Sequence, residues 1–247
     1  KNCKTFFSRL HIPILLCLYT QFANANDLEI TLQTVRTWVN NGMTVSEENN
    51  TTSENISGIC VVLRKNGDLL GYGEAFGENV PLLANAAKIA FSKAKKHPII
   101  RALPKDVHAF AFSSIGIEVG IATEYTPIPT KNLDKAAKQI LRGVDGIATR
   151  RRNTWDFRFP PHMRLSPFRK TVNHLEGMCI KVGAQAASVI AHQLAASEDI
   201  TIYRVDFISA YQHASGEPIS MLYRGDELFT LDHLQQTAAI GQFDNVF

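Results

Sequence analysis

The sequence predicts an α+β fold in which helices pack on a mainly antiparallel sheet. Strand-like segments are joined by tight turns, which favours hairpins. Helical segments lie among them without the regular alternation that parallel sheets require. The chain has 247 residues, 45% of them hydrophobic, and is long enough to form one large domain or two small lobes.

The clearest hairpin signal lies in the segment GICVVLRKNGDLLGYGEAFG at residues 58–77. Asn66 and Gly67 separate two apolar runs, and both residue types adopt the positive φ angles of a two-residue hairpin turn. Further strand-like segments are predicted at 106–129, 143–167, 200–212 and 219–230, the third of these with a turn near Arg152 and the last with a turn at Gly225 and Asp226.

Helical periodicity predicts a helix from Asp27 to Gly42 and a second one after Pro81. The second helix presents an alanine-rich apolar face that includes Leu82 and Ile89, and it ends at a proline. Three more helices are predicted at 132–143, 166–183 and 186–194, the middle one started by a Ser-Pro pair.

The first 25 residues have the composition of a secretory signal peptide. A basic head precedes a short apolar run at 12–19 and an Ala-Asn-Ala end at 23–25. The run is shorter than the roughly 20 apolar residues that a membrane-spanning helix needs. We therefore expect an exported protein, periplasmic or extracellular, with an amphipathic or buried N-terminal segment as the alternative. One domain is expected at 27–230, followed at 231–247 by a tail or the start of a further domain.

Charge excludes two classes of partner. The formal net charge is +3, and the predicted signal segment carries three basic residues and no acidic one. The remainder is therefore neutral, which gives no reason to expect nucleic acid, or a membrane after signal removal, as a partner. Cys60 and Cys179 lie in apolar patterns and are expected to be buried free thiols. No cysteine or histidine spacing predicts a metal site, and no cofactor is indicated.

Seven segments occur in the order found in one known family. They are Gly58–Leu63, Lys65–Gly67, Leu69–Gly73, Ile117–Ala122 leading to Thr126–Ile128, Gly143–Ile147, Met178–Ala184 and Ile202–Phe207. In this order they resemble the AMMECR domain family, named after the Alport syndrome, midface hypoplasia and elliptocytosis chromosomal region. The resemblance spans roughly 27–213. It implies a fold and a site location rather than a reaction.

The chain departs from the family at the centre of one motif. Where members have Arg-Gly-Cys-Ile-Gly, this chain has Leu-Gly-Tyr-Gly-Glu at 70–74. The arginine and the cysteine are therefore missing. Any chemistry that this cysteine performs in relatives is not expected here.

The glycines of this motif allow two interpretations. Gly71 and Gly73 lack the spacing of a dinucleotide-binding loop, and glycines at strand ends more often permit a bulge or close backbone packing. The alternative is a ligand groove with these glycines at its floor and Tyr72 and Glu74 at its rim.

The run TRRRNTWDFRF at 149–159 is the second candidate region. Arg150 and Arg158 are candidates to hold an anionic group, with Trp155 stacking on the ligand. The more common outcome for such a run is a solvated hairpin tip, whose surface ion pairs contribute about 0–1 kcal/mol each.

Two functional hypotheses follow. The first is a binding or accessory module for a small anionic ligand or a peptide, using the groove at 70–74 and the hairpin at 150–158. The second is an enzyme of unknown reaction, with Glu74 or Asp145 as acid or base and the arginines as anion clamp. Asp145 is equally typical of a turn residue. A third possibility is that the domain serves a catalytic domain beyond Phe247.

Overall fold

The computed structural model describes residues 27–46, 58–77, 81–104, 107–183 and 200–222. The predicted signal peptide at 1–25 and the predicted tail at 231–247 lie outside these residues. So do the helix predicted at 186–194 and the turn predicted at Gly225 and Asp226.

The described strands form one antiparallel sheet. They are β1 (Gly58–Lys65), β2 (Asp68–Phe76), β3 (Gly116–Pro127), β4 (Gly146–Arg151), β5 (Thr154–Arg158), β6 (Ile200–Gln212) and β7 (Ser220–Leu222). Their spatial order is β2-β1-β3-β6-β4-β5, and β7 pairs with the end of β6. Together with the helices, this arrangement confirms the α+β fold with a mainly antiparallel sheet.

Seven helical segments accompany the sheet in the described ranges. They are α1 (27–40), α2 (Leu82–Lys96), α3 (Pro98–Arg101), α4 (His108–Ser113), α5 (Leu133–Ala137), α6 (Pro160–Leu165) and α7 (Thr171–Gly183). The predicted helices at the start of the domain and after Pro81 are confirmed. Neither α3 nor α6 was predicted, because each is a single short turn that begins at a proline.

The turn between β1 and β2 has the predicted geometry. Asn66 has a φ of 51° and Gly67 a φ of 85°, so both take the left-handed conformation of a tight hairpin. A bulge between Leu63 and Arg64 shifts the register of the pair once. The hairpin thereby fixes which β2 side chains face each side of the sheet.

Several local predictions were wrong. The end of the segment predicted as strand-like at 143–167 forms α6, and the helix predicted at 132–143 is helical only over Leu133–Ala137. Residues 108–113 form α4 rather than a strand, and their alternation leaves Phe110 81% exposed while the next two residues are buried. The helix predicted from Ser166 begins only at Thr171, because Ser166 ends α6. Ile89 on α2 is 43% exposed instead of buried.

The two faces of the sheet carry different packing. On the outer face, α1 and α2 pack over β1, β2 and β3, and α5 and α7 pack over β4. The inner face carries an aromatic cluster that includes Phe159 and Phe207. Phe76 of one edge strand stacks on Phe157 of the other with ring centroids 4.7 Å apart, so the sheet is strongly curved.

The backbone of α2 lies directly against β2. A Cβ atom on Gly71 would come within 2.1 Å of the Ala90 carbonyl oxygen, and one on Gly73 within 2.0 Å of the Ala86 carbonyl oxygen. Real Cβ atoms do not approach backbone so closely. These glycines therefore serve close helix-on-strand packing, the interpretation that the sequence favoured.

We predict that Gly73→Ala destabilises the protein by about 1–3 kcal/mol, because α2 must move away from the sheet. Gly177→Ala is the matched control. It lies within α7, where an added Cβ meets no atom within 4 Å, and it should stabilise by about 0.5–1 kcal/mol. Urea unfolding monitored by circular dichroism measures both. Equal stabilities of the two variants would contradict the packing of α2 described above.

His174 on α7 is a buried titratable group, with 2% of its surface exposed. Its Nε2 atom lies 3.3 Å from the Phe168 carbonyl oxygen and donates to it. Burial lowers the pKa of His174, the hydrogen bond to the Phe168 carbonyl raises it in part, and the nearby positive charges of Arg158 and Arg142 lower it further. The folded state therefore favours the neutral ring.

This lowered pKa predicts acid sensitivity. The unfolded chain takes up a proton near the ordinary histidine pKa of about 6.5, whereas folded His174 takes it up only at lower pH. The stability contributed by neutral His174 is therefore complete above the unfolded pKa of about 6.5 and is lost as the pH falls from there toward the lower pKa of the folded state. His174→Gln should unfold with a shallower decline in free energy between pH 7.5 and 5. Parallel pH profiles for the two proteins, measured by urea unfolding, would refute this.

Candidate functional site

A cleft of about 400 Å³ opens beside the edge strand β2. One wall is the strand itself, a second comes from α2, and the third is the end of α6 with the residues after it. The lining residues are Leu69, Leu70, Gly71, Tyr72, Lys93, His162, Leu165, Ser166 and Pro167. Of the four residues in the predicted groove, Gly71 and Tyr72 line this cleft, whereas Gly73 and Glu74 do not.

Tyr72 and Lys93 join the strand wall to the helix wall. The Lys93 Nζ atom donates to the Tyr72 carbonyl oxygen over 2.7 Å and lies 5.7 Å from the centre of the Tyr72 ring. Lys93 is otherwise exposed to solvent. A cation is thus held at the mouth of the cleft by a backbone hydrogen bond and a cation–π contact.

A chain of hydrogen bonds runs behind the cleft. The Tyr72 hydroxyl donates to Oε2 of Glu74, and Oε1 of Glu74 lies 2.8 Å from Nδ1 of His162. On the other side of the imidazole, Nε2 lies 2.7 Å from Nη1 of Arg158. The Tyr72 ring meets the His162 ring edge-on at 5.9 Å.

The arginine fixes the direction of this chain. A guanidinium cannot accept a hydrogen bond, so Arg158 donates and Nε2 of His162 accepts. Nδ1 therefore carries the hydrogen and donates to Glu74. The carboxylate accepts from both His162 and Tyr72, so it has a donor on each oxygen.

Local structure explains how these side chains meet. Tyr72 and Glu74 are two residues apart on β2 and therefore share the inner face. Arg158 ends β5 and His162 lies in the first turn of α6, so four residues of chain separate them. Because the sheet is curved, α6 is placed against β2 and His162 reaches Glu74.

The chain continues to the outer face of β5. Nη2 of Arg158 lies 3.7 Å from Oδ2 of Asp156, and the Lys181 ammonium on α7 is hydrogen-bonded to Oδ1 of the same carboxylate. Asp156 is buried, with 3% of its surface exposed. Two cations therefore compensate this buried charge.

Burial favours the neutral forms of Tyr72 and of the nearby Cys60. Burial first, and then the negative charge of Glu74 and its hydrogen bond to the hydroxyl, raise the pKa of Tyr72 well above its ordinary value. Burial and the carboxylates of Glu118 and Glu74 likewise raise the pKa of Cys60. Tyr72 can therefore donate a hydrogen bond, whereas Cys60 is an unreactive thiol.

Cys179 has the same character as Cys60. Burial first, and then the charge of Glu176, raise the pKa of its thiol to about 12. Both thiols are free and fully buried, as the sequence indicated.

Arg150 and Trp155 lie apart from the cleft. Arg150 stacks over the Trp155 ring at 5.2 Å, and its Nε atom donates to the Arg152 carbonyl oxygen over 2.8 Å. The indole also contacts Phe76 at 5.6 Å and Tyr203 at 5.3 Å. The structure thus brings Tyr72, Glu74 and Arg158 together but leaves this pair at the hairpin.

Asp145 occupies a turn between α5 and β4. Its Oδ2 atom accepts from the Leu141 amide over 2.8 Å, and its own amide donates to the Leu141 carbonyl oxygen over 2.8 Å. The side chain is fully buried and does not line the cleft. Of the two roles considered for Asp145, the geometry favours the turn residue.

Two residues of the cleft were not singled out from the sequence. His162 follows two prolines in a segment that was interpreted as strand-like, and Lys93 was one of several lysines on a solvated helix face. No spacing rule connects either residue to Tyr72. The distance in sequence between His162 and Glu74 is 88 residues, so only the fold could reveal this contact.

The described residues meet the requirements of neither a metal site nor a membrane-spanning helix. In the described ranges, histidine, cysteine and acidic side chains do not form a group of three suited to a metal ion. None of the helices in this part of the chain combines the length and the apolarity that crossing a bilayer requires.

Comparison with known proteins adds a structural neighbour. The chain is similar to the crystal structure of an uncharacterized protein from Pyrococcus horikoshii, with a TM-score of 0.50 and 17% sequence identity, over 80% of this chain and 95% of that one. At this identity the similarity shows the fold alone. No protein-family model and no curated protein matches the sequence.

We predict that Glu74→Ala destabilises the protein by about 2 kcal/mol, because the Tyr72 hydroxyl and Nδ1 of His162 both lose their acceptor. Glu124→Ala is the matched control, since Glu124 is an exposed carboxylate on β3. Its effect should stay within about 0.5 kcal/mol. Chemical denaturation of the two variants provides the comparison. Equal free energies of unfolding would show that the hydrogen bonds of Glu74 to Tyr72 and His162 contribute nothing to stability.

Proposed function

We propose that this chain is an AMMECR-like binding module that holds a small, partly apolar anion in the cleft beside β2. One observation carries this proposal. The exposed cation Lys93 is hydrogen-bonded to Tyr72, whose ring packs edge-on against His162, and all three residues line the cleft. Ligand sites are typically concave, mostly apolar and supplied with a few fixed polar groups.

The family assignment rests on the order of the sequence motifs. The structural neighbour from Pyrococcus horikoshii supports it only to the extent of a shared fold. The motif at 70–74 contributes Gly71 and Tyr72 to the cleft, at the place where the resemblance locates the site. Two observations therefore support the proposal: the resemblance implies a site at this motif, and two residues of the motif line a cleft large enough for a small ligand.

The chemistry of the cleft favours an anion with an apolar part. Lys93 supplies the positive charge, and Leu69, Leu165 and Pro167 supply apolar walls. The Ser166 oxygen accepts from the Phe168 amide over 3.2 Å, and its hydroxyl can rotate to donate to another acceptor. A carboxylate or phosphate between Lys93 and Ser166 meets two donors.

The hydrogen bonds that Glu74 and His162 already make favour a binding role over a catalytic one. Both oxygens of Glu74 and both nitrogens of His162 are engaged in hydrogen bonds. An acid or base role for Glu74 requires one of these bonds to break before any proton moves. The enzyme hypothesis therefore needs a rearrangement, whereas a binding site needs none.

We predict that aromatic carboxylates or organic phosphates raise the melting temperature of the wild-type protein. Screening by thermal shift with benzoate, phenyl phosphate and inorganic phosphate separates the apolar and anionic contributions. Ligand at about 100 times its dissociation constant stabilises by about 2.7 kcal/mol, which is a shift of several degrees for a domain of this size. Lys93→Ala should weaken binding about ten-fold.

Lys96→Ala is the control for this experiment. Lys96 lies one turn further along α2, is exposed, and does not line the cleft. It should bind the same ligands as the wild type does. Equal effects of the two lysine variants, or the absence of a thermal shift with every anion, would rule out the proposed site.

A further inference from the structure

A second positively charged surface lies beyond the cleft, where the segment after α6 meets the loop after α5. Two large apolar side chains are exposed there, Leu141 by 58% and Phe168 by 48%. Four exposed cations lie on these two segments or at the end of α6: Arg142, Arg164, Arg169 and Lys170. We call these six residues the basic–apolar patch.

Hydrogen bonds tie the two segments of the patch together. Nη2 of Arg142 donates to the carbonyl oxygens of Met163 over 2.8 Å and Phe168 over 3.1 Å. Nη1 of Arg164 donates to the Gly143 carbonyl oxygen over 3.3 Å. The patch is therefore a fixed surface built from two parts of the chain.

The charge of the patch is largely unbalanced. Nη2 of Arg164 lies 2.5 Å from Oε1 of Glu118, so this pair neutralises one cation. Among the residues that the structure describes, the other three cations of the patch form no ion pair. The chain as a whole carries a net charge of only +3, so this density of positive charge is not the average of the surface.

We propose that the basic–apolar patch is a docking surface for an acidic polypeptide segment that carries apolar side chains between its carboxylates. Arg142 follows Leu141 directly in the chain, and its guanidinium donates to the backbone of Phe168, so one cation belongs to the same surface as both apolar residues. An extended peptide presents alternate residues to one face and can match such an arrangement. Arginine and aromatic residues are also the side chains that most often dominate binding energy.

A peptide fits this surface better than a lipid bilayer does. Arg142 and Arg164 point their guanidinium groups at backbone carbonyls and a carboxylate, where they are fixed in place. Membrane-bound surfaces instead rely on a continuous apolar helix face surrounded by mobile lysines and arginines. Leu141 and Phe168 do not make such a face. The inference does not depend on the cleft ligand.

The test uses the full chain and a fluorescein-labelled peptide of alternating glutamate and leucine, followed by fluorescence anisotropy. The wild-type protein should bind this peptide, and should bind a glutamate–serine peptide of equal charge more weakly. Arg169→Glu combined with Lys170→Glu should weaken binding at least about ten-fold, because two attractive charges become repulsive. Phe168→Ser should also weaken it about ten-fold through loss of the apolar anchor.

The matched control reverses two lysines elsewhere. Lys95→Glu combined with Lys96→Glu makes the same change of net charge at the exposed end of α2. This control should bind the peptide within about two-fold of the wild type, apart from a small long-range effect that salt removes. Circular dichroism verifies folding, and the Arg169→Gln and Lys170→Gln pair replaces any charge reversal that fails to fold.

Three results would overturn the proposal. The wild type fails to bind the glutamate–leucine peptide, or the patch variant and the α2 control lose affinity equally. In the third result, the wild-type protein co-sediments with phosphatidylglycerol vesicles and the patch variant does not, while neither binds the peptide. That result would assign the patch to an anionic lipid surface.

Discussion

The contact between α2 and β2 determines much of the site. With glycine at positions 71 and 73, the backbone carbonyls of Ala86 and Ala90 approach the strand to a distance that a Cβ atom would prevent. Once one face of β2 is occupied by helix, the alternation of the strand directs Tyr72 and Glu74 to the other face. The packing of α2 on one face of β2 thus determines that Tyr72 and Glu74 lie on the opposite face.

A carboxylate on the inner face of a sheet needs donors, because an unpaired buried charge is costly. Glu74 finds one donor in its own strand, the Tyr72 hydroxyl, and a second in His162 from the far edge of the sheet. This second contact exists only because the sheet is curved enough to bring α6 against β2. The same polar chain that satisfies the carboxylate therefore also positions a wall of the cleft and holds it rigid through Arg158.

Sequence patterns predicted those parts of the fold that local chemistry determines. The positive φ angles at Asn66 and Gly67 and the alternation along β6 are local properties, and both are confirmed. The alternating segment at 108–113 was misread because a short helix beside the sheet buries only part of its apolar residues. The candidate site was predicted in part, since Tyr72 and Glu74 stand in the recognised motif. The contact with His162 depends on sheet curvature, which no local pattern records.

The segment after α6 links the cleft to the basic–apolar patch. Residues 165–167 line the cleft, and the next three residues carry the exposed ring and two cations of the basic–apolar patch. In such a short segment, the position of Pro167 in the cleft constrains the position of Phe168 at the surface. The carbonyl of Phe168 is in turn held by Arg142 and by His174. The backbone of residues 165–170 therefore forms a direct covalent connection between the cleft and the basic–apolar patch, fixed at Phe168 by hydrogen bonds from both Arg142 and His174.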